Sequence, residues 1–407
     1  MIAATSASWL TVRRIRAHGA ILALCLWSVY LWNLGTPGLR DRGGNLKGTD
    51  FLHFYSLGSL ALTHRGAQLY NMDMQSALAA QRVPEAAGIH YLPLYPPQVS
   101  ILFAPLARFS YPWALVLWLT VCALVYGLCC YAVWPVCPNL RNYELTALIL
   151  ALAFPAFWHL IAWGQTSALA LACFTLAFLA LRAKREFAAG LALGCLIFKP
   201  QLALAASIVF LFSFQWKVIA GAIVAAAAQL GAAGFYYGIG PLRDWIHTLL
   251  NLPAVIPLLE PRIYQTHSLR TFWIMLIPWP SGSLTLYVLT AIVVCVLTVA
   301  CWRSSLSLSL RYSALLFATV LLAPHLTVYD LVILAPAFLL LSDWIVVHAS
   351  QPTTSRLAIL LYLAFILPLI GPLARWTHLQ LSVPVMAALL IEIWNLGRKE
   401  TCAMASN

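Results

Sequence analysis

Carboxylates are scarce in this chain: twelve Asp and Glu against 24 Lys and Arg in 407 residues. Charged residues of both signs make up 9%, where a soluble globular chain carries about 25%. The length alone would suit two or three soluble domains, and this scarcity excludes them. Nucleotide-binding and hydrolytic signatures are also missing. There is no G-x-S-x-G elbow and no H-E-x-x-H pair. GGNLKG, residues 43–48, has glycines and a lysine but neither the spacing nor the strand-to-helix setting of a phosphate loop. Ten cysteines are present, yet no C-x-x-C pair has histidine partners, and eight of the ten lie inside apolar runs. They read as buried thiols rather than as a zinc site or a disulfide framework. The net charge of +12 has no soluble basic domain to carry it, so nucleic acid is not an expected partner.

What the chain does have is grease. Hydrophobic residues make up 62% and the mean hydropathy is +0.85. Apolar runs near the ~20 residues that cross a bilayer recur from end to end. The fold class is therefore all-α and polytopic, as one integral membrane domain over 1–407. Twelve spans are expected, near 18–35, 111–135, 143–160, 165–182, 187–198, 200–214, 216–237, 283–302, 308–323, 326–347, 356–372 and 378–396. The first follows TVRRIRAHGA and has no A-x-A-like site behind it, so it reads as a retained helix rather than a cleaved leader.

Two long connections interrupt the spans, 36–110 and 238–282. Within the first, LYPPQVSILFAPLAR (94–108) is short and broken by prolines, which suits a re-entrant or surface-lying helix. With that choice every short basic connection falls on one side: Arg13, Arg14, Arg16, RAKRE (182–186), Arg303, Arg311, Arg398 and Lys399. The positive-inside rule makes that side cytoplasmic. Both long connections then face outward, toward the periplasm or exterior of a cell inner membrane.

This threading limits the chemistry. Glu144, Glu186, Asp343, Glu392 and Glu400 fall on the cytoplasmic side, which leaves Asp41, Asp50, Asp73, Glu85, Asp244, Glu260 and Asp330 outside. Asp50 stands in GTDFLHFYSLG, with His53 one helical turn on. Four further features reach the same face. WGQTS (163–167) is a polar turn carrying Gln165. IFKPQ sets Lys199 between apolar runs of twelve and fifteen residues; at ~1.5 Å per residue the first spans about 18 Å, so Lys199 sits recessed. APHLTVYD (323–330) brings His325, Tyr329 and Asp330. YQTHSLRTFW (264–273) brings Gln265 and Arg270. Ionisable groups at membrane depth are costly unless they face a wet cavity, so their convergence points to an aqueous pocket.

A carboxylate base, cations for a phosphate and aromatic walls are the parts for transferring a group from a phosphate-linked donor to a hydroxyl. A lipid phosphate is the simplest donor for a recessed outward site. Asp50 is the expected base. Lys199 and Arg270 are expected to hold the donor phosphate. Tyr55, Tyr95, Gln165, Gln265 and Tyr329 are expected to line the pocket, and His53, His325 and Asp330 are candidates for positioning or catalysis. Several have a plainer alternative: Asp50 as a loop acid or helix N-cap, Lys199 snorkelling to headgroups, His53 in a structural hydrogen bond, His325 capping a broken helix, Arg270 meeting anionic lipid, Gln165 as a turn residue, and Tyr55 and Tyr95 as interfacial aromatics.

At these residues the sequence resembles glycosyltransferase family 87, polyprenol-phosphate-mannose-dependent mannosyltransferases of the GT-C superfamily. GTDFLHFYSLGSLALTHRGAQLYN is similar to the family's D-F-x-x-F-Y-x-x-G…G-x-x-L-Y opening, and YPPQVSILFAPLA to its Y-P-P…L-L-F-x-P-L stretch. GQTSAL, AAGLALGCLIFKPQLAL and APHLTVYDLVIL follow in the family's order, from about residue 48 to about 335. The resemblance implies a GT-C fold and an inverting transfer in which the aspartate matched by Asp50 deprotonates the acceptor while the lipid phosphate leaves. It implies a polyprenyl-phosphate sugar donor, with mannose as the expected sugar, and a lipid or glycan acceptor. No cofactor is implied, although a divalent metal stays open. Many relatives carry a histidine late in the hairpin where this chain has Tyr329 and Asp330, so either His325 or Asp330 is left to take that role. The rival class is a transporter or lipid-linked sugar flippase, which a recessed charged cavity also suits. Twelve-span transporters often show internal repeats, and the two halves here look unlike.

Overall fold

The computed structural model describes residues 10–252, 262–349 and 351–405. Glu260 lies outside them, as do the side chains of Lys399, Glu400 and Cys402. All regular elements are helical, and β-pairing among the described residues is limited to two isolated bridges, Arg40 with Leu46 and Thr266 with Thr327. The first half of the chain forms α1 (Val12–Leu34), α2 (Thr49–Leu62), α3 (Met72–Arg82), α4 (Gln98–Phe103), α5 (Tyr111–Val133), α6 (Glu144–Ala153) and α7 (Pro155–Trp163). It continues with α8 (Ser167–Arg182), α9 (Glu186–Gly194), α10 (Pro200–Phe212), α11 (Trp216–Tyr237) and α12 (Gly240–Leu250).

Each of the twelve apolar runs is helical. Among the described residues, six helices are long and apolar enough to cross a membrane: Val12–Leu34, Tyr111–Val136, Trp216–Tyr237, Pro280–Arg303, Val328–Val347 and Thr353–Thr377. A seventh crossing arises if Pro138–Ala153 and Pro155–Trp163 count as one span bent by 42°. Pro155 makes that break, because it has no N–H for the ladder of the preceding helix. Ser167–Arg182, Glu186–Phe198, Pro200–Phe212 and Leu308–Leu322 are apolar but shorter. The 94–108 stretch forms the six-residue α4 and a single 3₁₀ turn, Leu106–Arg108, neither long enough to cross a membrane as a helix.

Side-chain contacts gather the basic helix ends together. Arg16 Nε donates to Thr146 Oγ1 at 3.0 Å, and His18 Nδ1 lies 2.7 Å from Tyr362 Oη. Asn139 donates through its backbone and side chain to Asp343, at 2.8 and 3.0 Å, and Arg356 meets Glu392 at 3.6 Å. α8 runs from this end, at Arg182, to the opposite one, at Ser167.

Glycines let backbones touch where the fold needs it. A Cβ on Gly58 would stand 2.4 Å from the Phe103 carbonyl oxygen, which is how α4 seats on α2. Between α9 and α11, a Cβ on Gly190 would lie 2.0 Å from the Val218 oxygen, and one on Gly194 2.2 Å from the Ala222 oxygen. Apolar surface supplies little drive for helix association inside lipid, so close van der Waals packing of small residues supplies it instead. Gly194→Val is accordingly expected to push α9 from α11 and to abolish the monodisperse peak in detergent size-exclusion chromatography. Gly127→Val, where a Cβ would meet nothing within 4 Å, should elute as wild type; equal profiles for the two would show that the contact is dispensable.

Candidate active site

The site is built from four chain segments. Gly48 takes a left-handed conformation, φ +67°, and is itself the N-cap of α2. Tyr111 Oη donates to the carbonyls of Lys47 (2.7 Å) and Gly48 (2.9 Å), and Tyr91 Oη donates to that of Thr49. These bonds fix the first turn of α2, and with it Asp50. The carboxylate of Asp50 does not cap its own helix. It accepts from Gln165 Nε2 at 2.7 Å.

Gln165 can reach it because Gly164 ends α7 at φ +71°, with Phe51 so near that a Cβ there would lie 2.8 Å from the Phe51 Cβ. Trp118 Nε1 holds the Gly164 carbonyl at 2.9 Å. Gly164→Ala faces both a clash and a backbone conformation that L-residues rarely adopt. It is expected to cost about 1–3 kcal/mol, measured as a lowered melting temperature, and to separate Gln165 from Asp50.

Two residues after Gln165, Ser167 opens α8 and donates to Asp330 Oδ1 at 2.5 Å. Lys199 Nζ donates to the same oxygen at 2.7 Å and to Ser167 Oγ at 3.0 Å. Lys199 occupies the break between the 3₁₀ turn Cys195–Phe198 and α10, where Pro200 starts a new helix. The other Asp330 oxygen, Oδ2, accepts from Thr327 N (3.3 Å) and Oγ1 (3.2 Å) in a capping box. Tyr329 lies with its ring centre 5.2 Å from the Lys199 ammonium.

The two carboxylates thus differ in kind. Asp330 is 2% exposed and its oxygens accept four hydrogen bonds, one of them the ion pair. Asp50 has one, from Gln165, and the residue is half-buried. Burial raises the Asp50 acid from the usual 3.8 to about 6; the Gln165 amide and the Lys199 charge pull the other way, and the Asp330 charge adds a little to the rise. Divergent environments on neighbouring carboxylates are how one becomes a base while the other stays a fixed counter-ion.

His53 is 4% exposed, and neither ring nitrogen has a hydrogen-bond partner. It does not touch Asp50 by a hydrogen bond; its ring packs 5.0 Å from that of Tyr91 and 5.7 Å from that of Tyr95. Burial lowers its pKa from 6.5 to about 3, so the imidazole is neutral. It lines a narrow cavity with Tyr70, Pro93, Tyr95, Pro96 and Ser100. A second cavity, about 240 Å³, is mostly apolar and runs past Gln98, Leu102, Phe103, Thr166 and Phe198, beside the neighbours of Gln165 and Lys199.

The remaining expected residues are placed apart. Tyr55 Oη donates to the Phe109 carbonyl at 2.9 Å and accepts from Arg82 at 2.7 Å, so it ties α2 to α3 and lines neither cavity. Gln265 and Arg270 belong to the second long connection, which docks on the Pro324 hairpin. There Thr266 bridges Thr327, His267 N donates to the Leu326 carbonyl at 3.0 Å, and Arg270 Nη1 donates to the Pro324 carbonyl at 3.0 Å. His325 sits half-buried on the same hairpin. Among the described residues, no three His, Cys, Asp or Glu gather closely enough to hold a metal ion. Sequence reasoning missed Ser167 and Thr327 because small hydroxyl residues carry no signal until a partner is known.

A sequence model of glycosyltransferase family 87 matches residues 94–324, more than half of the chain. The chain belongs to glycosyltransferase family 87. No curated protein and no solved structure matched it. It is a membrane glycosyltransferase, with a donor and an acceptor substrate. The matched stretch contains Tyr95, Gln165, Lys199, Gln265 and Arg270 but neither Asp50 nor Asp330. Those two carboxylates join the transferase's family-matched core through geometry, each bonded to a side chain inside it: Asp50 to Gln165, Asp330 to Ser167 and Lys199.

Proposed function

We propose that this glycosyltransferase moves a sugar, with mannose the expected one, from a polyprenyl-phosphate donor to a lipid or glycan hydroxyl. The Asp50 carboxylate removes the acceptor proton as the acceptor oxygen bonds to the anomeric carbon. The bond from that carbon to the phosphate oxygen breaks on the opposite face, and its electron pair leaves with the phosphate. One displacement inverts the anomeric centre. The observation that carries this reading is the contrast between two carboxylates: the half-buried Asp50, which accepts one hydrogen bond, and the buried Asp330, whose oxygens accept four.

Lys199 has three N–H donors, of which Asp330 and Ser167 take two. The third is available to a phosphate oxygen, with Arg270 approaching from the hairpin side. The apolar cavity beside Phe198 suits an isoprenoid tail. The neutral His53, with both nitrogens unspent, offers a donor and an acceptor to a substrate hydroxyl. Removing it leaves no polar partner unpaired, so His53→Phe is expected to keep or raise thermal stability while raising KM for acceptor about tenfold or more, the amount of one neutral hydrogen bond. An unchanged KM would assign His53 to packing.

The reaction is tested with purified protein in liposomes, labelled polyprenyl-phosphate mannose and an envelope lipid extract. Labelled glycolipid or glycan is expected; transfer from a sugar nucleotide but from no polyprenyl-phosphate sugar would overturn the donor assignment. The basic ends set the site end outward by the positive-inside rule. An exposed cysteine placed at Asp73 should react with an impermeant maleimide on intact cells, and one at Lys184 only after permeabilisation. The reverse pattern would invert the topology.

A further inference from the structure

α12 is only eleven residues long, about 16 Å at 1.5 Å per residue, and so cannot cross a bilayer. Its residues divide around the helix, at about 100° per residue, into three sectors. Pro241 and Trp245 are buried, with Leu242 and Leu249 half-covered beside them, facing the rest of the protein. Ile246 and Leu250 come next and stand 53% and 74% exposed. Arg243, Asp244, His247 and Asn251 fill the remainder, all exposed.

The uncovered apolar sector does not stand alone. Ile239, in the turn before the helix, is 68% exposed, and Phe235 at the end of α11 is 95% exposed. α11 is one of the six described helices long and apolar enough to cross a membrane, and α12 follows it after only two residues, 238–239. A helix with protein on one side, water on another and an apolar strip between them, joined to the end of a span, matches an element lying in the headgroup–acyl boundary.

We propose that α12 is a lipid-binding helix lying in the plane of the bilayer surface, with Ile246 and Leu250 inserted among acyl chains. Together with the end of α11 it also braces the wall of the site. Trp245 Nε1 donates to the Leu94 carbonyl at 3.0 Å, one residue before Tyr95, and Tyr237 Oη lies 2.6 Å from Ser100 Oγ. Both partners flank the cavity that His53 lines. Arg243 and Asp244 offset each other, so insertion rests on apolar area and needs no anionic lipid.

The test uses the full chain in nanodiscs, with a diazirine amino acid of leucine size at position 246, 250, 243 or 247. Irradiation at 246 and 250 is expected to yield lipid adducts in phosphatidylcholine alone and equally with added phosphatidylglycerol. At 243 and 247 the adduct yield should be at least fivefold lower. Adducts at 246 and 250 with protein instead of lipid would make the strip a docking face and overturn the proposal, as would equal yields at all four positions. Adducts that require phosphatidylglycerol would replace apolar insertion with headgroup recognition. For the bracing role, Ile246→Asn with Leu250→Asn is expected to speed hydrogen exchange at the Leu94 and Tyr95 amides about tenfold, while exchange in α9 stays as in wild type. Unchanged exchange at those two amides would remove the brace and leave the lipid contact standing.

Discussion

Asp50→Asn is expected to abolish sugar transfer while the protein melts at or above the wild-type temperature. A positioned general base contributes roughly 10²–10⁴ in rate, and Asn cannot accept the acceptor's proton. It can keep the hydrogen bond to Gln165 by presenting its amide oxygen. The stability sign follows from the direction of the shift. The acid is raised to about 6 in the folded chain, so the fold favours the protonated form. That contribution is fully present below the unfolded value near 3.9 and is lost as pH rises through about 6. At neutral pH the ionised Asp50 therefore strains the fold, by an amount on the order of 1–2 kcal/mol once its partial exposure is allowed for. Activity has the opposite slope: it requires the carboxylate, so kcat/KM should climb as pH rises through about 6. Full activity in Asp50→Asn, or a flat profile from pH 5 to 7.5, would remove Asp50 as the base.

Lys199→Met should be the most damaging single change to the fold at the site. It leaves Asp330, 2% exposed, without its 2.7 Å partner, and breaking one side of a buried pair costs about 3–5 kcal/mol. Removing both charges is different, because apolar replacement of a buried pair is often neutral or better. Lys199→Met with Asp330→Leu should therefore recover much of the melting temperature and none of the transfer, if the third N–H of Lys199 meets the donor phosphate. Activity returning with stability would reduce the pair to a structural fastening. Lys199→Arg is expected to fail as well, since a planar guanidinium cannot place a compact charge between Ser167 and Asp330.

Much of this was legible along the chain. The all-helical class was legible, because apolar stretches in lipid must satisfy their backbone internally; the twelve-span count was not, since six described helices, or seven with the bent pair, are long and apolar enough to cross. Gln165, Lys199, Tyr95, Tyr329 and Asp330 were expected at one face, and side-chain contacts bring them together beside Asp50. Pairing was not legible. IFKPQ shows a lysine between proline-broken runs, and only the folded chain sets its ammonium on Asp330, 131 residues away. Tyr55 belongs to the same helix as Asp50, yet its hydroxyl turns to Arg82 and Phe109. His53 shares a helical face with Asp50 but packs on Tyr91 and Tyr95.

By itself the sequence determined that this protein is a helical membrane transferase with few carboxylates to work with, because composition and run length respond to the solvent that surrounds each segment. Which carboxylate is saturated with donors and which keeps a single one was decided only by tertiary structure. That outcome depends on how many donors converge on each oxygen and how much water is excluded. Both are properties of side chains brought together from distant segments, here 48–50, 164–167, 199 and 327–330.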